Sequence, residues 1–170
     1  QQGLLEVEAG RIVKQYQEGN SPLEPMAGGV SVSGILRDRE GGWWLYNPGN
    51  PKPLLHRGPA GGWAAFPCAL SSFNAEQQAI IRQDDAGRIW VALAGQTGLL
   101  ALDPDPFVRT GGDAGYAFTQ VHNRQRFSPS AVRDFDFLPN GELAVSTSEG
   151  IALSQNSDRF LAGETLRFSA

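Results

Sequence analysis

The residues best suited to chemistry in this chain are few and scattered. The stretch His122-Asn123-Arg124-Gln125-Arg126-Phe127 is basic, amide-bearing and aromatic within an acidic chain. Guanidinium groups can hold a carboxylate by paired hydrogen bonds, and amides and aromatic rings suit a sugar. Two further polar stretches, 17–29 and 69–78, offer Asn20, Phe73, Asn74 and Gln77. We therefore read His122, Asn123, Arg124, Arg126, Asn20 and Phe73 as the candidate ligand-binding residues, for a small-molecule or glycan ligand. The competing reading is a solvated loop. Asp134 and Asp136 alternate with Phe135 and Phe137, which puts both acids on one strand face, about 7 Å apart. They could bind a cation or act as paired carboxylates; hydrogen bonding or solvation is the plainer role. His56 and His122 each sit in a polar, loop-like setting and read as surface histidines. The sequence holds no nucleophile elbow, no metal pair with histidine spacing and no phosphate loop. The chain reads as non-enzymatic, with no cofactor and no metal site.

Bulk properties narrow the classes further. The 170 residues can bury a real core. The net charge of −4 argues against nucleic acid as the main partner, because phosphate binding needs a basic surface. Cys68 is the single cysteine, so no internal disulfide forms. No apolar run is long enough to span a membrane, and no signal-peptide pattern is present in this piece. The 21 glycines and 11 prolines mean many turns and few long helices.

The elements that must position those residues are short strands. Leu5 and Val7 alternate with Glu6 and Glu8, Ala9-Gly10 turns the chain, and Ile12, Val13 and Tyr16 return. Residues 17–29 have loop composition. Val30, Val32 and Ile35 alternate with serines and lead to Asp38. Gly41-Gly42 turns into Trp43-Trp44-Leu45-Tyr46, and Asn47-Pro48 breaks the run. Leu54-Leu55 and Trp63–Phe66 are further short strands. Ala79–Arg82 leads to Asp84-Asp85-Ala86-Gly87, and Ile89–Leu93 runs back. Leu99–Leu102 follows, and Phe107-Val108 starts a fourth strand. Phe135 and Phe137 share one face, Asn140-Gly141 is a strong hairpin signal, and Leu143–Ser146, Ile151–Leu153 and Leu166–Phe168 close the chain.

A repeat organises these strands. Aligning Gly41, Gly87 and Gly141 brings Trp44, Trp90 and Ala144 together, with Trp43, Ile89 and Leu143 beside them. Three residues before each glycine stand Asp38, Asp84 and Leu138, and six before stand Ile35, Ile81 and Phe135. Gly3-Leu4-Leu5, Gly98-Leu99-Leu100 and Gly150-Ile151-Ala152 also coincide. The glycines lie 46 and 54 residues apart. A period in the forties with about four strands is the mark of β-propeller blades. The fold class is therefore all-β, a β-propeller segment of about three four-stranded blades plus an N-terminal half-blade. We read 1–170 as a single partial propeller, with a half-blade at 1–16 and blades at about 30–67, 79–121 and 131–170. Trp44 and Trp90 read as packing, the glycines as turn formers with positive φ, and the acids before them as turn acceptors. A half-blade is an edge-pairing liability. It implies either a fragment of a longer propeller or a protomer whose ring closes between chains.

The unit from Ile35 to Trp44 resembles the two-component regulator propeller repeat. That pattern is an apolar residue, acidic residues, Gly, a variable residue, an apolar residue and Trp, and later Gly-Leu. Ile81 to Leu102 fits it; Phe135 to Leu153 fits with Ala144 in place of Trp; the first unit departs at Asn47–Asn50. The resemblance implies a ligand- or partner-binding segment of a bacterial extracytoplasmic sensor, in the periplasm or outside the cell. The alternatives are a lectin-like or scaffold propeller assembled from several short chains, a cytoplasmic location, and a propeller lyase or hydrolase. The implied partners are the remaining blades, in the same or another chain.

Overall fold

A computed structural model describes residues 3–68, 77–96, 98–102, 119–121, 131–154 and 168–169. The chain divides into two compact units, Gln1–Ala79 and Ile80–Ala170. The fold is all-β and built of short antiparallel sheets resembling propeller blades.

In the first unit, β1 (Leu4–Glu8) and β2 (Arg11–Tyr16) form a two-stranded sheet. Ala9 and Gly10 both have positive φ, 48° and 78°. That is the two-residue turn whose twist matches a right-twisted hairpin. A register shift between Glu6 and Val7 bulges the pair. Within 17–29, read as loop from composition, a two-stranded ribbon forms from β3 (Pro25–Met26) and β4 (Gly29–Val30). The alternation Val30, Val32, Ile35 is therefore not one strand. The cause is Asn47, which is wholly buried. Its amide nitrogen donates to the Glu24 and Ser31 carbonyls, at 3.0 and 2.8 Å, and its oxygen accepts from Glu24 N at 2.8 Å. These bonds staple the ribbon to the end of the next strand pair and satisfy backbone groups that a longer strand would have paired.

Four strands then follow in sequence order: β5 (Gly34–Arg37), β6 (Trp43–Tyr46), β7 (Leu54–Arg57) and β8 (Trp63–Phe66). Their two faces do different work. Leu45 and Leu55 pack with Tyr16, Leu23 and Val30, joined by Leu4, Val32, Trp63 and Ala65. The hairpin β1–β2 is thereby docked on the sheet, which a lone hairpin requires for stability. Trp44 lies on the opposite face, stacked with His56 and close to Phe66.

The second unit holds two four-stranded sheets. One is β9 (Ala79–Gln83), β10 (Ile89–Leu93), β11 (Leu99–Leu102) and β12 (Thr119–Val121). The other is β13 (Val132–Phe137), β14 (Leu143–Thr147), β15 (Gly150–Ser154) and β16 (Phe168–Ser169). Every residue of β10 and β11 is buried, as strands covered on both faces must be. Ile80, Trp90, Ala92, Leu99 and Ala101 pack on Val132, Phe135, Leu143 and Val145 of the other sheet. The fourth strand of the first of these sheets is Thr119–Val121; the sequence-predicted strand at Phe107-Val108 lies outside the described residues.

One turn recurs in all three four-stranded sheets. Gly41, Gly87 and Gly141 have φ of 88°, 85° and 81°, where a β-carbon would be strained. Each glycine N–H donates to the carbonyl three residues earlier, and that earlier residue's N–H closes the loop on the carbonyl four residues on. The glycine alignment made from sequence therefore superposes equal backbone geometry.

Candidate functional site

The most developed side-chain chemistry sits at the acids preceding the first two of these turns. Asp38 is buried at the end of β5. Its Oδ1 accepts from Gly42 N at 2.6 Å, and its Oδ2 bonds His56 Nε2 at 2.8 Å. The register places His56 directly opposite Trp44, and their rings stack at 4.5 Å between centroids and 25° between planes. His56 is thus buried between an acid and an indole. This corrects the reading of a surface histidine. The strand Leu54–Arg57 buries residues on both of its faces, so a polar residue within it must find a partner. Gly42 is part of the arrangement: a β-carbon there would stand 2.7 Å from both Asp38 Oδ2 and His56 Nε2.

Asp84 occupies the equivalent place before the second turn. Its Oδ1 accepts from Ala86 N and Arg88 N, at 3.0 and 2.9 Å. Its Oδ2 accepts from Trp90 Nε1 at 2.9 Å and from Arg88 Nε. The turn-acceptor role expected of both acids is present, with a second role added. Each acid uses one oxygen to hold the turn and the other to reach into the sheet. In the third sheet Leu138 stands at this position, and Asn140 Oδ1 takes Glu142 N instead, at 3.1 Å. Ser154, wholly buried, accepts from Leu143 N at 2.8 Å. These are fastenings of the second strand. The other side of the Asp38–His56 pair is the Trp44 indole, so the imidazole is held between a carboxylate and a ring.

The other sequence-selected residues divide sharply. Asn20 is exposed, but both ends of its amide are engaged. The oxygen accepts from Gln17 N and the nitrogen donates to the Gln15 carbonyl, each at 2.9 Å. It closes the turn after β2. His122, Asn123, Arg124, Arg126, Phe73 and Asn74 lie outside the described residues. Asp134 and Asp136 are exposed on one strand face, as the alternation predicts. Asp134 Oδ1 meets Arg82 at 3.2 Å on the surface, a pair worth at most about 1 kcal/mol. Among the described residues no group of three His, Cys, Asp or Glu could hold a metal ion, and no helix is long and apolar enough to cross a membrane.

One cluster escaped the sequence reading. Arg37, Trp43, Arg57 and Trp63 stand opposite one another across β5–β8 and form a row on one face. Arg37 lies over the Trp43 ring at 5.6 Å, and Arg57 over the Tyr16 ring at 5.2 Å. Tyr16 donates to Glu6 at 2.6 Å. Burial raises the Tyr16 pKa above its ordinary value of 10.0, the Glu6 hydrogen bond adds to this, and the Arg57 charge opposes it. A raised folded pKa contributes stability that is complete below pH about 10 and lost as pH climbs through the folded value. Tyr16→Phe should therefore flatten the alkaline limb of the stability curve, measured as denaturant midpoints from pH 8 to 11. An unchanged alkaline slope would show that Tyr16 ionisation is not coupled to unfolding.

No family model and no curated protein matches the sequence. Solved structures do. PorZ, an essential bacterial surface component of the type-IX secretion system of Porphyromonas gingivalis, aligns with TM-score 0.75 at 19% identity. The alignment takes in 99% of this chain and 24% of PorZ. Virginiamycin B lyase from Staphylococcus aureus aligns with TM-score 0.53 at 12% identity, over 81% of this chain and 40% of the lyase. A streptogramin B lyase aligns with TM-score 0.55 at 12% identity, over 95% of this chain and 45% of that one. At these identities the likeness is one of fold. The chain has a propeller-like all-β fold related to those of bacterial surface and enzyme propellers, and it spans about a quarter to under half of their lengths.

Proposed function

We propose that the chain is a non-catalytic binding or scaffold segment of a bacterial extracytoplasmic propeller protein. The observation that carries this is the alignment with a bacterial surface component along nearly the whole chain. The described side chains agree in kind. Their buried polar groups fasten strands, as at Asp38 and Asp84. The sensor reading is the second one, favoured by the Asp-Gly-Trp unit at 38–44 and 84–90. Both readings put the ligand on the polar loops, with Arg124 and Arg126 as its anchors and a sugar or carboxylate as its class. The test is a glycan array followed by titration of the strongest hit. Arg124→Ala with Arg126→Ala should weaken that hit at least about tenfold, the loss of one or two charge-assisted hydrogen bonds. Unchanged affinity would remove the loop assignment. Turnover of a streptogramin by the purified chain would overturn the non-catalytic reading.

A further inference from the structure

The repeat shows which residues the fold itself asks for, and one position of the first four-stranded sheet departs from them. Trp43, Ile89 and Leu143 stand two residues after their turn glycines. Arg57 lies opposite Trp43, and Leu102 lies opposite Ile89. Ser154 follows the pair Ala144–Leu153 and accepts from Leu143 N. Leu102 and Ser154 are buried. Packing at this position is thus met by a leucine or a small hydroxyl. Arg57 brings a guanidinium instead. Its Nε is buried and has no hydrogen-bond partner among the described residues. Buried N–H groups are seldom left without an acceptor.

The surroundings of Arg57 are aromatic and cationic. Trp43 and Trp63 flank it in register on the neighbouring strands. Its guanidinium lies over the Tyr16 ring at 5.2 Å. Lys14, exposed and two residues before Tyr16, lies over the same ring at 4.8 Å. Trp63 meets that ring edge-on, at 5.8 Å between centroids. The acid of this cluster, Glu6, is engaged at the hydroxyl end of Tyr16. Neither Arg57 nor Lys14 forms an ion pair among the described residues. The turn beside Arg57, Gly58 to Gly62, contains no acid. A β-carbon at Gly61 would stand 3.7 Å from Arg57 Nη2, so the guanidinium tip reaches that turn.

We propose that Arg57 and Lys14, walled by Tyr16 and Trp63, bind a small ring-bearing carboxylate. The planar fork of Arg57 takes the carboxylate oxygens, which gives Nε the acceptor it lacks. Lys14 adds a second charge, as a point and not a fork. The rings of Tyr16 and Trp63 take the body of the ligand, as the apolar walls of small-molecule sites do. A sugar acid and an aromatic acid share this chemistry. The site lies wholly within the first unit and apart from Arg124 and Arg126. Substituting those two arginines leaves it unchanged, so its failure and that of the loop assignment are separate results.

The test titrates the whole chain with glucuronate and with benzoate, read by calorimetry and by the Arg57 Nε–H resonance. At least one of the two acids should bind saturably at millimolar concentration or below and move that resonance. The one that binds identifies the ring as sugar or aromatic. Glucose and benzyl alcohol, the neutral counterparts, should not bind. Arg57→Leu installs the residue found at 102, so the chain should fold, and affinity should fall at least about tenfold. Lys14→Gln, at an exposed position, should keep the fold and weaken binding about threefold. If Arg57→Leu fails to fold, Lys14→Gln and the Nε–H resonance decide. No saturable binding of either acid would overturn the proposal. So would equal binding of a neutral counterpart, or affinity unchanged in the substituted chains. Equal binding of sulfate would also overturn it, since that marks a charged patch with no place for a ring.

Discussion

Trp90→Ala is expected to destabilise the second unit by about 3–5 kcal/mol, the usual cost of truncating a large buried aromatic. Trp90 is fully buried, and its loss acts in three ways. It empties volume between two sheets at the contact with Phe137. It removes dispersion contacts with Val132, Phe135, Leu143 and Val145, which share its cluster. It also takes away a donor from Asp84 Oδ2. A domain's whole stability is of the order of 5–15 kcal/mol. Denaturant unfolding should therefore show a large drop in midpoint, and exchange protection in β10 should fall with it. Trp90→Phe separates the terms, since it keeps most of the ring packing and loses the N–H. We expect it to cost about 1–2 kcal/mol, chiefly the lost hydrogen bond to a charged acceptor and a small cavity. Ala144 stands at the same repeat position in β14, so a loss at Trp90 below about 1 kcal/mol would mean that this position is not a packing layer.

Asp84→Ala is expected to cost about 3–5 kcal/mol as well, for a different reason. Removing one partner of a buried charge pair takes away most of what offsets the other's desolvation. Asp84 and Arg88 have side chains only 5% and 11% exposed. The substitution also deprives Ala86 N, Arg88 N and Trp90 Nε1 of the carboxylate that accepts from them. Asp84→Asn keeps the shape and one acceptor oxygen, and should lose less. Asp84→Leu mimics Leu138, the residue at this position in the third sheet, where Asn140 supports the turn instead. It should still destabilise, because Arg88 remains inside. Thermal or denaturant unfolding of the three variants should rank Asn above Leu and Ala. Equal stability of all three with the parent would show the carboxylate to be dispensable.

The sequence made the turns and their spacing legible because each depends on local chemistry. A glycine at positive φ, an acid three residues before it and an apolar run after it are read within about ten residues. The same locality explains Phe135 and Phe137 against Asp134 and Asp136. What the residues between turns do was less visible. His56 looks like any polar residue after Leu54-Leu55. Its partners, Asp38 and Trp44, become neighbours only when β7 is laid against β6 in register. Once Trp44 is placed as a buried strand residue, that register could have exposed the histidine. Asn47 was readable as a break but not as a buried staple, because its bonds reach back to Glu24 and Ser31. The Arg37–Trp43–Arg57–Trp63 row likewise exists only across strands. Asn20, selected as an amide in a polar stretch, has both ends of that amide engaged by its own turn, which only the folded backbone shows.

The account holds that the buried acid before a turn fastens the strand that follows it into its sheet. Hydrogen exchange of the native chain and of Asp84→Ala measures this most directly. The account predicts that protection of the β10 amides falls at least about tenfold in Asp84→Ala, because Oδ1 no longer holds Ala86 N and Arg88 N and Oδ2 no longer holds Trp90 Nε1. Protection of β10 equal to that of the parent would contradict it.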